Sequence, residues 1–187
     1  MMQDLSLHVL DIAQNSISAG SRLTEIQVDV SLGEDRLSIC IRDNGKGMTP
    51  EQAAHVTDPF FTSRTTRKVG LGVPFFKAAA EMTGGSFSIH SVPGEGTQVT
   101  AVFVYSSIDR MPLGDMNETV CSLVQCNPSL DFLYRYQLDG RGFVMDTREF
   151  RKELGEEVPL DAPEVMAFLR DYLNENTLSV NQGKEVL

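Results

Sequence analysis

The chain of 187 residues suits one domain with room for a small appendage, and its formal net charge of -10 is strongly acidic. A protein with this charge is not expected to work mainly through a nucleic-acid-binding surface. No apolar run reaches the roughly 18 residues that a membrane-spanning helix needs, and the N-terminus lacks the basic start of a signal peptide. The three cysteines are odd in number and lack zinc-site spacing, which favours a reducing compartment. We therefore expect a cytoplasmic protein that binds neither nucleic acid nor membrane.

The first predicted element is a helix over residues 4 to about 19. Its apolar residues recur near helical spacing, at Leu5, Val9, Ile12 and Ile17. Asp11 and Asn15 are four residues apart, so their side chains lie on one face, about a turn from each other. This pair is either a solvated polar stripe or a site, and the apolar residues around it point to a site. His8 lies on the same helix and is predicted to be structural.

Four strands are predicted from alternating apolar residues, at 24–30, 36–41, 86–91 and 98–104. The second strand ends in Asp43, Gly45 and Gly47, with one residue between each. On its own, such an ending is typical of a turn. The two glycines also let the backbone turn sharply and let another group approach it closely.

Residues 49–69 combine a helix start at Thr49 with a stretch that has no apolar period. Thr62 to Lys68 is rich in hydroxyl groups and carries three cations, so it is predicted to be a mobile loop. In an acidic protein this loop suggests an anionic ligand, although a solvated surface loop fits equally well. Gly70 and Gly72 then open a helix that continues to about Met82. The free N–H groups of such a helix start favour phosphate, but a single Gly-x-Gly is a weak signal.

Taken together, these motifs resemble the Bergerat-fold ATPases, the GHKL superfamily of gyrase, heat-shock chaperone, histidine kinase and MutL. The motifs follow one another at fitting spacings: Asn15 with Asp11 before it, Asp43-x-Gly45-x-Gly47, Pro59-Phe60-Phe61-Thr62, Gly70-x-Gly72 and Gly96-Thr97. The first is similar to the MutL version, whereas the stretches around 58–64 and 70–75 are similar to the histidine-kinase catalytic domain. The second likeness is longer and includes the lid, so it carries more weight.

The resemblance implies a fold, two cofactors and a set of site residues. The fold is α+β, a two-layer sandwich with a mixed or antiparallel sheet and helices on one face, covering residues 4–106. The cofactors are ATP and Mg²⁺, with Asp11 as catalytic base and Asn15 as magnesium ligand. Asp43 accepts a hydrogen bond from adenine, assisted by Thr97 directly or through water. The remaining implied ATP-binding residues are Gly45, Gly47, Phe60, Phe61, Arg64, Lys68, Gly70, Leu71, Gly72 and Gly96.

The sequence departs from the family pattern in three ways, the simplest being that little precedes the sheet, so a lean version of the fold is expected. Asp11 stands where the family usually has Glu, and its side chain is about one methylene shorter, which weakens the case for a catalytic base. No room precedes residue 4 for the helical dimerisation domain that carries a histidine kinase's own phosphoacceptor. We therefore expect something other than a complete histidine kinase.

The resemblance ends near residue 106. We predict a linker over 107–117, a small α+β extension over 118–178 and a disordered tail over 179–187. Within the extension we predict a strand at 119–124, a hairpin around Asp139-Gly140, and helices at 147–154 and 162–174. The extension is either a packing element or a docking domain for a partner.

Two functions remain open at this point. The first is a Mg-ATP-dependent phosphotransferase or ATPase that acts on a separate protein, as the kinase-like anti-sigma factors do. The alternative is a nucleotide-responsive binding module with little or no turnover. A MutL-like repair clamp is disfavoured by the acidic charge and the short length. The oligomeric state is left open, and a homodimer is one arrangement that the family permits.

Overall fold

The computed structural model of the chain describes residues 3–57, 72–155 and 158–183. In chain order the elements are α1 (Leu5–Ser18), β1 (Leu23–Ser31), β2 (Arg36–Asp43), α2 (Pro50–Val56), α3 (Gly72–Met82), β3 (Ser86–Val92), β4 (Gly96–Val104), α4 (Met116–Cys126), β5 (Asp131–Leu138), β6 (Arg141–Asp146), α5 (Thr147–Leu154) and α6 (Pro163–Val180). Among the described residues, no helix combines the length and the apolar character that crossing a bilayer requires.

The strands form one six-stranded sheet in the order β3-β4-β2-β1-β5-β6. β1 and β5 run parallel, and the other neighbouring strands run antiparallel. The register pairs Val28 of β1 with Ile39 of β2 and with Tyr136 of β5. All three side chains are buried, because period-2 alternation puts the apolar residues of these strands on one face. The predicted two-layer α+β architecture is confirmed.

The helices contact one another along the sheet, and α1 is at the centre of these contacts. α1 packs against α3 on one side and α4 on the other, and α4 in turn contacts α6. The Asp4 carboxylate caps α1 by accepting a hydrogen bond from the Leu7 N–H at 3.1 Å. Gly20 follows the helix at φ 79°, a conformation that suits glycine after a helix end. α1 therefore has a defined start and end, and its apolar face packs on the sheet.

The predicted strand at 119–124 is wrong, because these residues lie inside α4. The run is too short for apolar residues alone to separate a strand from a buried helix. The N-terminal cap identifies this segment as a helix, since the Asp115 carboxylate accepts a hydrogen bond from the Glu118 N–H at 2.8 Å. Val120 and Val124, four residues apart, are then buried on the same face.

The rest of the C-terminal part extends the same sheet rather than standing beside it. The predicted hairpin is confirmed as β5–β6, with Asp139 at φ 47° and Gly140 at φ 79° in its turn. The predicted helices are confirmed as α5 and α6. The predicted disorder is wrong for residues 179–183, because the Tyr136 hydroxyl donates to the Asn181 side chain at 2.8 Å and Asn181 is buried. Residues 184–187 lie outside the described part, and the domain limits themselves stay a prediction.

Thr147 attaches α5 to the sheet and provides a test of this arrangement. Its buried hydroxyl accepts a hydrogen bond from the Phe132 N–H at 2.9 Å and donates to the Asp131 carboxylate at 3.0 Å. Thr147→Val keeps the shape but leaves the Phe132 N–H unpaired. We expect urea unfolding to show a loss of about 1–3 kcal/mol in the free energy of unfolding.

The matched control is Thr119→Val on α4. Thr119 is also buried, but its hydroxyl makes no hydrogen bond within the described residues. An equal loss of stability in both variants would show that the Thr147 hydrogen bonds contribute nothing specific.

Candidate functional site

A cavity of ≈ 220 Å³ lies between α1 and the strands β2, β4 and β3. Its walls are mainly apolar and include Ile12, Ile41 and Val99. Polar groups converge on it from separate elements, with Asp43 at the end of β2 and Thr97 at the start of β4. A small apolar cavity with a few convergent polar groups is the usual form of a ligand site.

Asp43 is the most tightly held polar group of this cavity. It is 8% exposed, and its two carboxylate oxygens accept different donors. The Gly45 N–H donates to Oδ1 at 2.9 Å, and the Ser16 hydroxyl donates to Oδ2 at 2.8 Å. Each carboxylate oxygen can accept more than one hydrogen bond, so Asp43 keeps acceptor capacity toward the cavity. The carboxylate is thus a fixed hydrogen-bond acceptor at the cavity.

The glycines around Asp43 allow two protein segments to touch. A Cβ added to Gly47 would overlap the Val92 carbonyl, and a Cβ added to Gly96 would overlap the Asp43 carbonyl. Gly96 also has φ 122°, which residues with a side chain rarely adopt. Gly45 is close-packed too, with the site of its Cβ 3.0 Å from the Ala19 carbonyl oxygen. The geometry therefore explains these glycines by backbone packing, and their contact with a ligand stays a prediction.

Thr97 lies directly opposite Asp43 in the β2–β4 register. Its hydroxyl is 2.8 Å from the Ser91 hydroxyl, which accepts from the Met48 N–H at 2.8 Å and donates to the Gly96 carbonyl at 3.0 Å. When the Ser91 proton is donated to Gly96, Thr97 donates to Ser91 and its lone pairs remain for a ligand or water. Within the described residues no side-chain hydrogen bond joins Thr97 to Asp43. This geometry therefore suits assistance through water better than direct assistance.

Asn15 and Asp11 are separated by one turn of α1 but have different surroundings. Asn15 is exposed and lines the cavity, and its side chain has no hydrogen bond within the described residues. One carboxylate oxygen of Asp11 is buried without a hydrogen-bond partner, and a Cβ on Gly72 would overlap that oxygen. Asp11 therefore faces the start of α3, and it does not line the cavity as described.

His8 is the buried neighbour of Asp11 on the same helix. It is 1% exposed, and its ring stacks on Phe76 with the ring centroids 5.5 Å apart. Burial holds the pKa of His8 below its usual value, although the nearby Asp11 carboxylate opposes this shift. Its environment is that of the structural histidine predicted from sequence.

Six of the predicted site residues lie outside the described part of the chain. They are Phe60, Phe61, Arg64, Lys68, Gly70 and Leu71, and their roles stay predictions. The described residues hold no group of three or more His, Cys, Asp or Glu side chains that could bind a metal on its own. A magnesium ion here would need ligands from a bound phosphate as well as from Asn15.

Sequence reasoning missed three residues that the structure brings to this site. Ser16 orients Asp43, Ser91 joins Thr97 to the Met48 backbone, and the exposed Lys46 lines the cavity. Only Ser16 carried a signal, because it lies four residues after Ile12 on the apolar face of α1, where a polar side chain needs a partner.

The chain matches the family model described as "Histidine kinase-, DNA gyrase B-, and HSP90-like ATPase" over residues 3–106. It is 32% identical over 93 residues to "Sensor histidine kinase ZraS" of Salmonella typhimurium, covering 49% of this chain and 20% of that protein. It is 34% identical over 104 residues to "Sporulation kinase D" of Bacillus subtilis, covering 53% of this chain and 19% of that protein. The chain thus spans about a fifth of the length of these two relatives.

Solved structures share the fold over most of the chain. The "Aquifex aeolicus MutL ATPase domain complexed with ADP" aligns with a TM-score of 0.50 and 13% identity. The alignment covers 91% of this chain and 88% of that chain, so it extends beyond the matched family region. At this identity the likeness concerns the fold alone.

Asp43 and Ser16 provide a graded test of the cavity as the adenine site. Asp43→Ala removes the fixed acceptor, and we expect ATP affinity to fall by about 10- to 100-fold, since a buried unpaired donor costs about 1–3 kcal/mol. Ser16→Ala leaves the carboxylate held by Gly45 alone, and we expect a smaller loss of about tenfold. Isothermal titration calorimetry with ATP measures both.

Ser18→Ala and Asp29→Ala are the matched controls. Ser18 is exposed on the same helix, and Asp29 lies on the open face of the sheet, so neither variant should change ATP affinity. Undiminished affinity in Asp43→Ala would remove this carboxylate from the binding site.

Proposed function

Because the chain belongs to the histidine kinase-, DNA gyrase B- and HSP90-like ATPase family, we propose that it binds Mg-ATP in the cavity beside α1 and transfers the γ-phosphoryl group to a separate protein. The observation that carries the proposal is the Asp43 carboxylate, held by Ser16 and Gly45 beside an apolar cavity. A fixed acceptor in an apolar pocket suits the exocyclic amino group of adenine. The apolar walls suit the faces of the base.

The polar residues at the cavity each have a role in this proposal that matches their position. Asp43 accepts the adenine amino group, and Thr97 has lone pairs free for a bridging water. Asn15 reaches solvent at the cavity and offers a carboxamide oxygen, the kind of ligand that Mg²⁺ prefers. The ion supplies charge neutralisation for the phosphates when it is bound. Lys46 adds a cation on the same cavity wall.

The protein acted on is proposed from the relatives and from the chemistry of the site. Two of the similar proteins are named as kinases, a sensor histidine kinase and a sporulation kinase. Among the described histidines His8 is buried and has no access to a phosphoryl group, whereas His55 and His90 are exposed. From the likeness to these kinases we propose a phosphoacceptor on another protein, and the question of a homodimer stays open.

A second function is favoured by the position of Asp11. A general base must reach the proton it removes, and Asp11 faces the backbone of Gly72 instead of the cavity. ATP binding without turnover then becomes a signal, in which the nucleotide changes the surface offered to a partner. This alternative uses the same adenine site and differs only in the chemical step.

The two functions are separated by turnover. If Asp11 acts as base, the parent chain should convert ATP to ADP, with the γ-phosphoryl group passing to an acceptor protein or to water, and Asp11→Ala should slow ADP formation by about 10²- to 10⁴-fold with little change in ATP affinity. ADP formation is measured under saturating Mg-ATP, and affinity is measured by calorimetry. Asp109→Ala, an exposed loop acid, is the matched control.

A parent chain that binds ATP but forms no ADP, alone or with candidate acceptor proteins, would support the binding module. Equal rates in the parent and Asp11→Ala would show that Asp11 is not the base.

Asn15 provides the test of magnesium binding. The side chain is exposed and makes no hydrogen bond within the described residues, so Asn15→Ala should fold normally. We expect the gain in ATP affinity from Mg²⁺ to fall by about tenfold, equivalent to ~1.4 kcal/mol, because the variant lacks the amide oxygen. Calorimetric titrations with ATP in Mg²⁺ and in EDTA measure the gain.

Gln14→Ala serves as the control, since Gln14 is the exposed neighbour on the same helix. If Mg²⁺ tightens ATP binding equally in the parent, Gln14→Ala and Asn15→Ala, then Asn15 is a surface residue and the magnesium assignment is wrong.

A further inference from the structure

A groove lies at the opposite end of the sheet from the nucleotide cavity. It has a volume of ≈ 870 Å³ and runs between α5 and α6, beside the edge strand β6. Two strands, β1 and β5, separate β6 from β2 in the sheet, and no described residue lines both the groove and the cavity. The groove is therefore a separate surface, which the proposed ATP site does not use.

The floor of the groove is an aromatic cluster that the chain leaves partly uncovered. The ring of Phe150 lies 5.9 Å from that of Phe168 and 5.8 Å from that of Tyr172, measured between centroids. Phe168 is 59% exposed and Val144 is 42% exposed at the same groove. Contiguous exposed apolar surface with a polar rim is typical of a binding site, and aromatic residues dominate binding energy at such sites.

The rim of the groove is acidic. Its charged lining residues are Asp146, Glu149, Glu153 and Glu164, and no basic side chain lines the groove in the described part of the chain. The first two have partners, since Asp146 pairs with Arg148 and Glu149 pairs with Lys152. The other two, Glu153 and Glu164, form no ion pair within the described residues. The groove thus offers unpaired negative charge to an incoming cation.

An added β-strand is disfavoured as the occupant. β6 is an edge strand, but the Tyr172 hydroxyl donates to its Val144 carbonyl at 3.0 Å. This hydrogen bond uses a backbone group that an added strand would need. The two walls α5 and α6 instead form the kind of helix pair that accepts a third helix by its apolar face.

We propose that this α5–α6 groove docks an amphipathic helix of a partner protein whose apolar face is flanked by Lys and Arg residues. The aromatic floor takes the apolar face, and Glu153 and Glu164 take the basic flanks. A second copy of this chain fits poorly, because its net charge of -10 would meet an acidic rim. The proposal rests on the proposed function in one respect: the partner that docks here is taken to be the separate protein on which the chain acts.

The test uses a fluorescein-labelled peptide of about 18 residues, or about five helical turns, with Leu on one face and Lys on the other. Fluorescence anisotropy is measured with the full chain and without nucleotide, so a failure of ATP binding does not affect the result. We expect the parent to bind and Phe168→Glu to weaken binding by about tenfold or more. Ile108→Glu is the matched control, since Ile108 is 98% exposed outside the groove.

Charge is tested separately. Glu153→Lys combined with Glu164→Lys should weaken binding by about tenfold or more, whereas Glu81→Lys combined with Asp109→Lys makes the same charge change at exposed positions outside the groove and should have little effect. Equal losses in the two double variants would show non-specific attraction and would overturn the proposal.

Two further results would also overturn it. One is a parent chain that binds the Leu–Lys peptide no better than a Leu–Glu peptide. The other is sedimentation showing a dimeric parent and a monomeric Phe168→Glu variant, which would mean that a second copy covers the groove.

Discussion

The end of the sheet that holds the cavity depends on the close approach of two backbone segments. The loop after β2 touches the β3–β4 turn, with Gly47 against Val92 and Gly96 against Asp43, and neither contact leaves room for a Cβ. Because Asp43 is the last residue of β2, this contact fixes where its carboxylate lies. Ser16 then joins α1 to the same carboxylate at 2.8 Å. The candidate adenine acceptor is thus placed by packing before any ligand arrives, which reduces the ordering that binding must impose.

The sequence was sufficient for most of the fold because its strands alternate clearly. Period-2 alternation places Ile26, Val28 and Val30 on one face, and no helical pattern fits those residues. The error at α4 has the opposite cause, since a short apolar run fits both periods and only the Asp115 cap distinguishes them. The tail was misjudged because Asn181 is held by Tyr136, 45 residues away in sequence, and local composition does not reveal such a contact.

The sequence motifs of the candidate site could be predicted, but the hydrogen bonds and packing contacts that join them could not. The glycines near Asp43 were predicted to let a ligand approach, whereas the structure shows that they let the protein's own backbone approach. Ser16 and Ser91 escaped notice because serine is common at surfaces, and their roles depend on partners far away in sequence. Asp11 was placed beside Asn15 correctly, yet one carboxylate oxygen faces Gly72. Helical periodicity gives the face of a residue, but it does not give the neighbouring element.

The charge of the chain limits how it can bind a polyanion. A protein with a net charge of -10 repels ATP at long range, so binding must rely on cations close to the phosphates. Among the described residues that line the cavity, Lys46 is the only cation. Mg²⁺ held partly by Asn15, and the basic residues of 64–68, would supply the remainder under the proposed function. The same acidity that hinders ATP favours a basic helix at the α5–α6 groove, so under the two proposals the ends of the sheet bind ligands of opposite charge.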